Sequence, residues 1–347
     1  MSLFTANSKL LMRHCEKFKS LVVCCTGDMY DTFPAILKAQ DVYVYTDKYN
    51  YWQQINNIMD NKHCYFGLLI NFNMITECNA LIYYWPKSKQ EAKFHLHALF
   101  SLMSIGTKIF IIGENNAGVR SSVNIIKTFG SLKKIDGAYR CSLYYGCLEK
   151  KCSFNMKDWW GTYQIEELTI ATLPGIFSCD GLDIGSELLL SSIKLDMYSK
   201  VLDIGCGTGV LSAIIAKRYP HIRLTLTDVS AVSLNASYVT FITNNIQGII
   251  IPSNVYSNVT GYFNTIISNP PFHNGIHMNL SVAKKLIYGA VNHLYIGGKL
   301  YIVANKFLPY QQMLDDVFGT HEIISEAGCF RVYLACMSYT NIMYKDN

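Results

Sequence analysis

A short apolar run ends in an unusual polar and aromatic sequence, TIISNPPFH at 265–273. Proline has a fixed φ and donates no backbone hydrogen bond, so two consecutive prolines predict that a strand ends at Asn269. Asn269, Pro270 and Phe272 would then lie on a stiff loop at the carboxyl edge of a sheet, where ligands bind in open α/β folds. The Asn269 amide oxygen and the Pro270 carbonyl can accept the two N–H bonds of a planar exocyclic amine, while the aromatic ring stacks on its base. The motif predicts a site that aims the amine's lone pair at an electrophile.

A glycine-rich turn, LDIGCGTG at 202–209, follows an apolar segment and precedes a helical one. Gly205 and Gly207 allow a tight turn and a close approach of a ligand to the backbone. Asp228 ends the next predicted strand, at a spacing that suits an acid accepting from a ribose diol. A dinucleotide site would also use these features. However, the G-x-G-x-G spacing and Asp203 before the turn favour S-adenosylmethionine (AdoMet), because an acid there accepts from an ammonium group and repels a pyrophosphate.

Asn254 follows the third predicted strand of this half and is placed to hydrogen-bond an adenine; a simple turn residue is the alternative. Cys206, inside the glycine turn, has no partner that would make it a nucleophile, so we interpret it as a small loop residue.

Strands alternate with helices along residues 166–347, which predicts a parallel sheet. The first half repeats this order, with KSLVVCCTGD (19–28) and ALIYYWPKSK (80–89) in the places of the glycine turn and the NPPF segment. It keeps one glycine counterpart, Gly27, and has Trp85 in the place of the Asn. We therefore predict two tandem Rossmann-like α/β domains, 1–165 and 166–347, of which the first is degenerate.

Basic residues concentrate in the first half. Residues 1–165 carry a net charge of +7 and residues 166–347 a net charge of −2. Between Lys87 and Lys157 there are twelve basic and four acidic residues. An ordinary solvated surface would explain this excess; a phosphate-binding face is the sharper hypothesis. On that hypothesis the first domain binds RNA and the second carries the catalytic site.

Half of the 347 residues are hydrophobic, which allows two domains with large cores. No apolar run reaches the length of a membrane span, and the start has neither a signal-peptide nor a transit-peptide pattern, so we expect a cytoplasmic protein. The twelve cysteines include no CxxC pair and are expected to be reduced. The close histidine pairs, at 95 and 97 and at 273 and 277, lack neighbouring ligands, so we predict no metal site.

Several segments together resemble known methyltransferases. Class I AdoMet-dependent amino-methyltransferases share patterns like VLDIGCGTG (201–209), TDVS (227–230), SNVYS (253–257) and SNPPFH (268–273). The segment TLPGIFSCDGLDIGSELLL (172–190), the NPPF motif and the degenerate first copy extend this likeness over nearly the whole chain. In this combination the sequence resembles the ribosomal RNA small subunit methyltransferase C family.

The resemblance implies two class I methyltransferase domains, AdoMet as the cofactor, and methylation of the exocyclic N2 of one guanine in 16S ribosomal RNA. The small ribosomal subunit is the implied partner, and we expect a monomer that binds no membrane. The implied site residues are Asp203, Gly205 and Gly207 at the methionine end of AdoMet, Asp228 at its ribose, Asn254 at its adenine, and Asn269, Pro270 and Phe272 at the guanine. Phe177 and Asp183, in the loop before the helix, are expected to close over the site and bind the cofactor; loop packing alone is the alternative.

The NPPF motif is shared with adenine-N6 and glutamine-N5 methyltransferases and indicates only the chemistry. One alternative is guanine-N2 methylation of large-subunit ribosomal RNA. Protein-glutamine methylation is a second, which a second α/β half in place of a small helical domain disfavours. The third is a non-catalytic assembly factor that binds RNA and retains AdoMet; the intact Asn269 argues against it, since a pure binder needs no amine clamp.

Overall fold

A computed structural model describes residues 4–59, 62–68, 73–177, 181–271 and 280–339 of the chain. The chain divides into two compact units, Met1–Trp160 and Gly161–Asn347. The division falls slightly before the boundary suggested by the sequence, because the strand Gly161–Ile165 pairs with the strand Leu168–Thr172 inside the second unit.

The first unit is a seven-stranded sheet flanked by helices. Its strands are β1 (Val22–Gly27), β2 (Asp41–Thr46), β3 (Cys64–Phe66), β4 (Ala80–Tyr84), β5 (Lys108–Glu114), β6 (Leu132–Ala138) and β7 (Cys141–Cys147). Its α-helices are α1 (Ala6–Met12), α2 (Phe33–Ile36), α3 (Tyr49–Asn56), α4 (Lys89–Leu102) and α5 (Ser122–Ile126). The strand order is β3-β2-β1-β4-β5-β7-β6, and β7 is antiparallel to both neighbours.

The second unit contains a two-stranded and a seven-stranded sheet. Its strands are β8 (Gly161–Ile165), β9 (Leu168–Thr172), β10 (Lys200–Ile204), β11 (Arg223–Asp228), β12 (Ile249–Pro252), β13 (Phe263–Ser268), β14 (Leu294–Asn305), β15 (Glu322–Ala327) and β16 (Phe330–Cys336). Its α-helices are α6 (Ile184–Ser192), α7 (Val210–Arg218), α8 (Ala231–Thr243), α9 (Ser281–Ala290) and α10 (Tyr310–Phe318). No helix in the described ranges is long and apolar enough to span a membrane.

The large sheet of the second unit has the order β12-β11-β10-β13-β14-β16-β15, which repeats that of the first unit strand for strand. This confirms the predicted fold of two tandem Rossmann-like domains. Successive residues of the central strands enter separate apolar clusters: Leu202 and Ile204 pack on one side of the sheet, and Val201 on the other. The continuous apolar strands thus result from burial on both faces.

One predicted boundary in the second unit is wrong. The sequence pattern predicts a helix over 280–294 with a cap near Gly297, but α9 ends at Ala290 and β14 already pairs with β13 at Leu294. The pairing is irregular just after this point, and Gly297 has a φ of +79°. Gly297 therefore permits an irregular strand start and does not cap a helix.

The carboxyl edge of the first sheet is closed by its own backbone. Gly27 ends β1 with a φ of +97°, and a Cβ atom there would overlap the carbonyl oxygen of Tyr84. The Asp28 N–H donates to the same carbonyl at 2.9 Å. Trp85 is only 3% exposed and donates its Nε1–H to the Ala117 carbonyl at 3.2 Å. The ends of β1 and β4 are thus joined directly, as expected of a degenerate copy.

This closure predicts different costs for two glycine substitutions. Gly27→Ala should lower the free energy of unfolding by several kcal/mol, because the added Cβ adds a steric overlap to the strain of a positive φ. Gly106→Ala is the matched control: its φ is +91°, but no atom of the described ranges lies within 4 Å of the added Cβ. This control substitution should lower the free energy of unfolding by about 1–2 kcal/mol. Urea unfolding followed by circular dichroism measures both, and equal losses would contradict the closed edge.

Candidate active site

The carboxyl ends of three parallel strands meet at one edge of the second sheet. Ile204 of β10 lies opposite Thr227 of β11 on one side and Ser268 of β13 on the other. The Ser268 hydroxyl donates to the Ile204 carbonyl at 2.7 Å and fixes this register locally. The residues that follow these three positions are the predicted site residues Gly205, Asp228 and Asn269. The structure therefore brings them together.

The glycine turn after β10 leaves open space beside its backbone. Gly205 and Gly207 have φ angles of +78° and +56°, and no described atom lies within 4 Å of a Cβ built on either. The Gly205 N–H donates to the Thr227 carbonyl at 2.8 Å, which closes the turn onto β11. Gly209 differs, since its Cβ would contact Ser237 of α8. Gly205 and Gly207 thus leave an open cradle among the described residues, with room for a ligand, whereas Gly209 permits helix packing.

Asp203 lies beneath this turn and is fully buried. Its Oδ2 accepts a hydrogen bond from the Ser212 hydroxyl at 2.7 Å, but within the described residues its Oδ1 has no partner. Burial raises the pKa of Asp203 to about 7, and the nearby Asp228 charge adds to the rise while Ser212 opposes it. A buried carboxylate oxygen without a donor is costly, so Oδ1 is an acceptor suited to a positively charged ligand group. The sequence analysis did not include Ser212.

Asp228 is held rigidly at the end of β11. Its Oδ2 accepts from the Gly207 N–H at 3.0 Å and its Oδ1 accepts from the Ser230 N–H at 2.8 Å. A carboxylate offers two acceptor oxygens, which suits the two hydroxyls of a diol ligand beside the glycine turn.

Asn254 lies in the turn that follows β12. Its backbone N–H donates to the Ser257 hydroxyl at 2.9 Å. The next residue, Val255, is buried with a φ of +62°, an unusual conformation for a β-branched residue. Such local strain occurs where a backbone position is over-determined by its surroundings. The turn therefore presents Asn254 in a fixed position next to the end of β11.

Asn269 is half-buried, and its amide nitrogen is tied to the start of α6. Its Nδ2 donates to the Ser186 hydroxyl at 2.9 Å and to Asp183 Oδ1 and Oδ2 at 3.2 and 3.3 Å. Pro270 is buried behind it. The side chain therefore lies at the sheet edge. Ser186 has no motif signal that would have identified it from the sequence.

Phe177 and Phe272 are the remaining predicted site residues. Phe177 is 73% exposed on the loop that precedes α6. Phe272, the predicted stacking residue, lies outside the described residues.

Cys206, in the glycine turn, is buried, and burial raises the pKa of its thiol well above the usual range. A protonated thiol in contact with Ser237 suits packing rather than nucleophilic attack.

The whole chain is similar to known methyltransferases. Residues 8–163 match the family model "Methyltransferase small domain N-terminal", and residues 167–334 match "Methyltransferase small domain". Ribosomal RNA small subunit methyltransferase C of Serratia proteamaculans is 47% identical over 338 residues, which cover 97% of each chain. The protein of the same name from Pectobacterium atrosepticum is 48% identical over 335 residues, or 96% of each chain.

The chain belongs to the ribosomal RNA small subunit methyltransferase C family. This confirms the resemblance found in the sequence. The same fold is found in a solved structure of a T. thermophilus 16S rRNA N2 G1207 methyltransferase. That structure is in complex with AdoMet and guanosine. The two structures match with a TM-score of 0.83 and 19% sequence identity, and the match covers 96% of this chain and 92% of that chain.

A cluster in the first unit contains three groups that could bind a metal ion, although the sequence predicted none. The ligand atoms of Asp47, Glu91 and His95 lie within 4.8 Å of one another. The Lys48 ammonium, however, lies 2.8 Å from Asp47 Oδ2 and 3.9 Å from Glu91 Oε1. Burial raises the pKa of Glu91 to about 8 and lowers that of His95 to about 4, so it opposes the charged form of each group. The Lys48 ammonium supplies a positive charge beside Asp47 in this cluster.

Proposed function

We propose that this chain is an AdoMet-dependent methyltransferase that methylates the exocyclic N2 of one guanine in the 16S ribosomal RNA of the small subunit. The observation that carries the proposal is the Asn269 amide, anchored by its nitrogen at the sheet edge that also holds the open glycine cradle. The 47–48% identical relatives named for small-subunit ribosomal RNA support the choice of substrate. An enzyme acting on ribosomal subunits would work in the cytoplasm.

The residues around the glycine turn fit AdoMet. When bound, AdoMet supplies a sulfonium methyl group, and the electrons of the broken C–S bond stay on sulfur. Asp203 Oδ1, for which the described part of the chain provides no donor, would accept from the ammonium group of its methionine moiety. Asp228 would accept from the ribose hydroxyls, and Asn254 would contact the adenine. The open space at Gly205 and Gly207 leaves room for the cofactor against the backbone.

This assignment predicts that AdoMet affinity depends on pH through Asp203. The carboxylate accepts from an ammonium group and the carboxylic acid does so poorly, so binding should weaken as the pH falls through the pKa of about 7. We expect Kd to rise up to ~10-fold per pH unit below that value and to be constant above it. Calorimetry at pH 5.5 to 8.5 would measure this. Asp203→Asn should weaken binding and abolish the slope.

Asp228→Asn is the control for this experiment. It should also weaken AdoMet binding, because a ribose acceptor is altered. The pH slope should persist but begin at a lower pH, because the Asp228 charge no longer raises the pKa of Asp203. An unchanged slope in Asp203→Asn would contradict the role of Asp203.

The Asn269 side chain and the Pro270 backbone would hold the target amine. The N2 amine of guanine is a weak nucleophile because its lone pair is delocalised into the ring. Two acceptors, Asn269 Oδ1 and the Pro270 carbonyl, would fix both N–H bonds and direct the lone pair at the methyl carbon. As the N–C bond forms, the amine becomes acidic and loses one proton to solvent, so no charged base is needed. The buried proline keeps these acceptors fixed and limits reorganisation. Stacking by Phe272 remains a prediction from the sequence.

Labelled AdoMet tests the function directly. The protein is incubated with small or large ribosomal subunits from cells that lack the activity, and the modified nucleoside and its position are then identified. We expect N2-methylguanosine at one site of 16S RNA. Label confined to large-subunit RNA would instead support the alternative substrate, label in protein would support glutamine methylation, and no label with either subunit would favour a non-catalytic factor.

The clamp predicts the behaviour of Asn269→Ala in the same assay. The variant should bind AdoMet with an unchanged Kd, because Asn269 is assigned to the guanine and not to the cofactor. Its kcat should fall on the order of 100-fold, a loss comparable to that of one preorganised group in other active sites. Full turnover in this variant would rule out the clamp.

We further propose that the first unit binds the RNA. Its surface has exposed lysines in two separate places: Lys87 and Lys89 beside the start of α4, and Lys133 and Lys134 on the edge strand β6. Both pairs belong to the basic excess of residues 1–165, and neither pair has an ion-pair partner within 4.0 Å among the described residues. Exposed cations without internal partners are suited to phosphate contacts.

Paired substitutions would locate the RNA contact. Lys87→Ala with Lys89→Ala, and Lys133→Ala with Lys134→Ala, should each weaken RNA binding and reduce the slope of log K against log salt by up to ~2. Lys200→Ala with Lys299→Ala removes the same charge from the amino-terminal side of the second sheet and should leave the slope unchanged. If both first-unit pairs keep the full slope, the first unit makes no contact there.

A further inference from the structure

The orientation of the Asn269 amide is determined by the groups around its nitrogen. An ionised carboxylate accepts hydrogen bonds and donates none, so the end of the amide that faces Asp183 must be the NH2 group. Asn269 Nδ2 lies 3.2 and 3.3 Å from Asp183 Oδ1 and Oδ2, so one of its hydrogens points between these two oxygens. The Ser186 hydroxyl, 2.9 Å from Nδ2, accepts the other hydrogen. A flipped amide could still accept from the Ser186 hydroxyl, but it would lose both contacts with Asp183 and place its oxygen against a carboxylate. The carbonyl end, Oδ1, is therefore the end that can face a substrate.

Asp183 is itself fixed by the helix that it caps. Its Oδ1 accepts from the backbone N–H groups of Gly185 and Ser186 at 3.0 and 3.2 Å. Gly185 is buried, and a Cβ on it would lie 3.5 Å from Phe330 and from Val303. The start of α6 is therefore packed closely on β14 and β16, so that the carboxylate position is set by the core of the second unit.

The same contact affects the strength of Asn269 as an acceptor. Hydrogen bonds between an amide N–H and a carboxylate are charge-assisted, and they shift electron density toward the amide oxygen. A carboxylate behind the nitrogen thus makes Oδ1 a better acceptor while keeping it neutral. A neutral acceptor suits a neutral amine, because it fixes the N–H bonds without taking a proton before the methyl transfer.

We propose that Asp183 and Ser186 are positioning residues, which hold the nitrogen of the Asn269 amide so that its oxygen faces the substrate amine. This inference rests on the proposed function and gives Asp183 a role other than the cofactor contact expected from the sequence. The two roles differ in what they affect: a positioning residue changes kcat through Asn269, whereas a cofactor ligand changes AdoMet affinity whatever residue is at 269.

Asp183→Asn tests the proposal with little disturbance of the fold. Asparagine is as good an N-cap as aspartate, so α6 should keep its start. The new amide no longer dictates which end of Asn269 faces it, and the charge is lost. We expect kcat to fall ~10- to 100-fold, with the Kd of AdoMet changed less than twofold and an unaltered melting temperature. Ser186→Ala removes one acceptor only and should lower kcat several-fold.

A double-mutant cycle separates the two roles. In the Asn269→Ala background, Asp183→Asn should cause no further loss of kcat, because the group that it positions is absent. The same fold-loss in both backgrounds, or a raised AdoMet Kd with an unchanged kcat, would overturn the proposal and favour the cofactor role. If Asp183→Asn does not fold, Ser186→Ala in both backgrounds gives the same test. An inactive wild type would instead count against the proposed function, whereas an active wild type with fully active variants would count against the positioning role alone.

Discussion

The proposed site depends on the parallel register of β10, β11 and β13. Because these strands end at the same level, a glycine turn, an acid and an amide that are far apart in sequence lie at one edge of the sheet. A shift of one residue in β13 would turn Ser268 away from β10 and move Asn269 to the opposite face. Pro270 and Pro271 end the strand at this point, so sequence and register agree on where the chain leaves the sheet.

The two units have the same strand order but differ at the carboxyl edge of the sheet, which has room for a ligand in the second unit and is filled by backbone in the first. In the second unit no described atom fills the space beside Gly205 and Gly207, whereas in the first unit the chain that leaves β1 at Gly27 packs against the Tyr84 carbonyl. Asp47 directly follows β2, whereas Asp228 ends β11, and Asp47 forms an ion pair with the adjacent Lys48 at 2.8 Å. The strand order is the same in both units, so local side chains and turns account for the difference. The fold alone therefore does not determine whether a unit has a site.

The sequence predicted the strands and the repeat, and it singled out Gly205, Asp228 and Asn269, which the structure brings to one sheet edge. These predictions depend on local signals: apolar runs, glycines before a helix, and prolines after a strand. The sequence failed where the contacting residues belong to different elements. Ser212 lies nine residues after Asp203, and Ser186 more than eighty before Asn269, so no spacing rule links either pair. The wrong end of α9 has another cause: Gly297 has the sequence signature of a helix cap but lies in an irregular strand start.

The choice of an amide at position 269 follows from the carboxylate beside it. An aspartate there would place two carboxylates about as close as Asn269 Nδ2 and the Asp183 oxygens, which are 3.2–3.3 Å apart. Two such groups cannot both be ionised, and one would hold a proton. The oxygen that faces the substrate would then be either a charged base or a hydroxyl donor, depending on pH. Asparagine removes this ambiguity, since its nitrogen satisfies Asp183 and its oxygen is an acceptor at every physiological pH. The pairing of Asn269 with Asp183 therefore specifies an acceptor whose charge and direction do not vary.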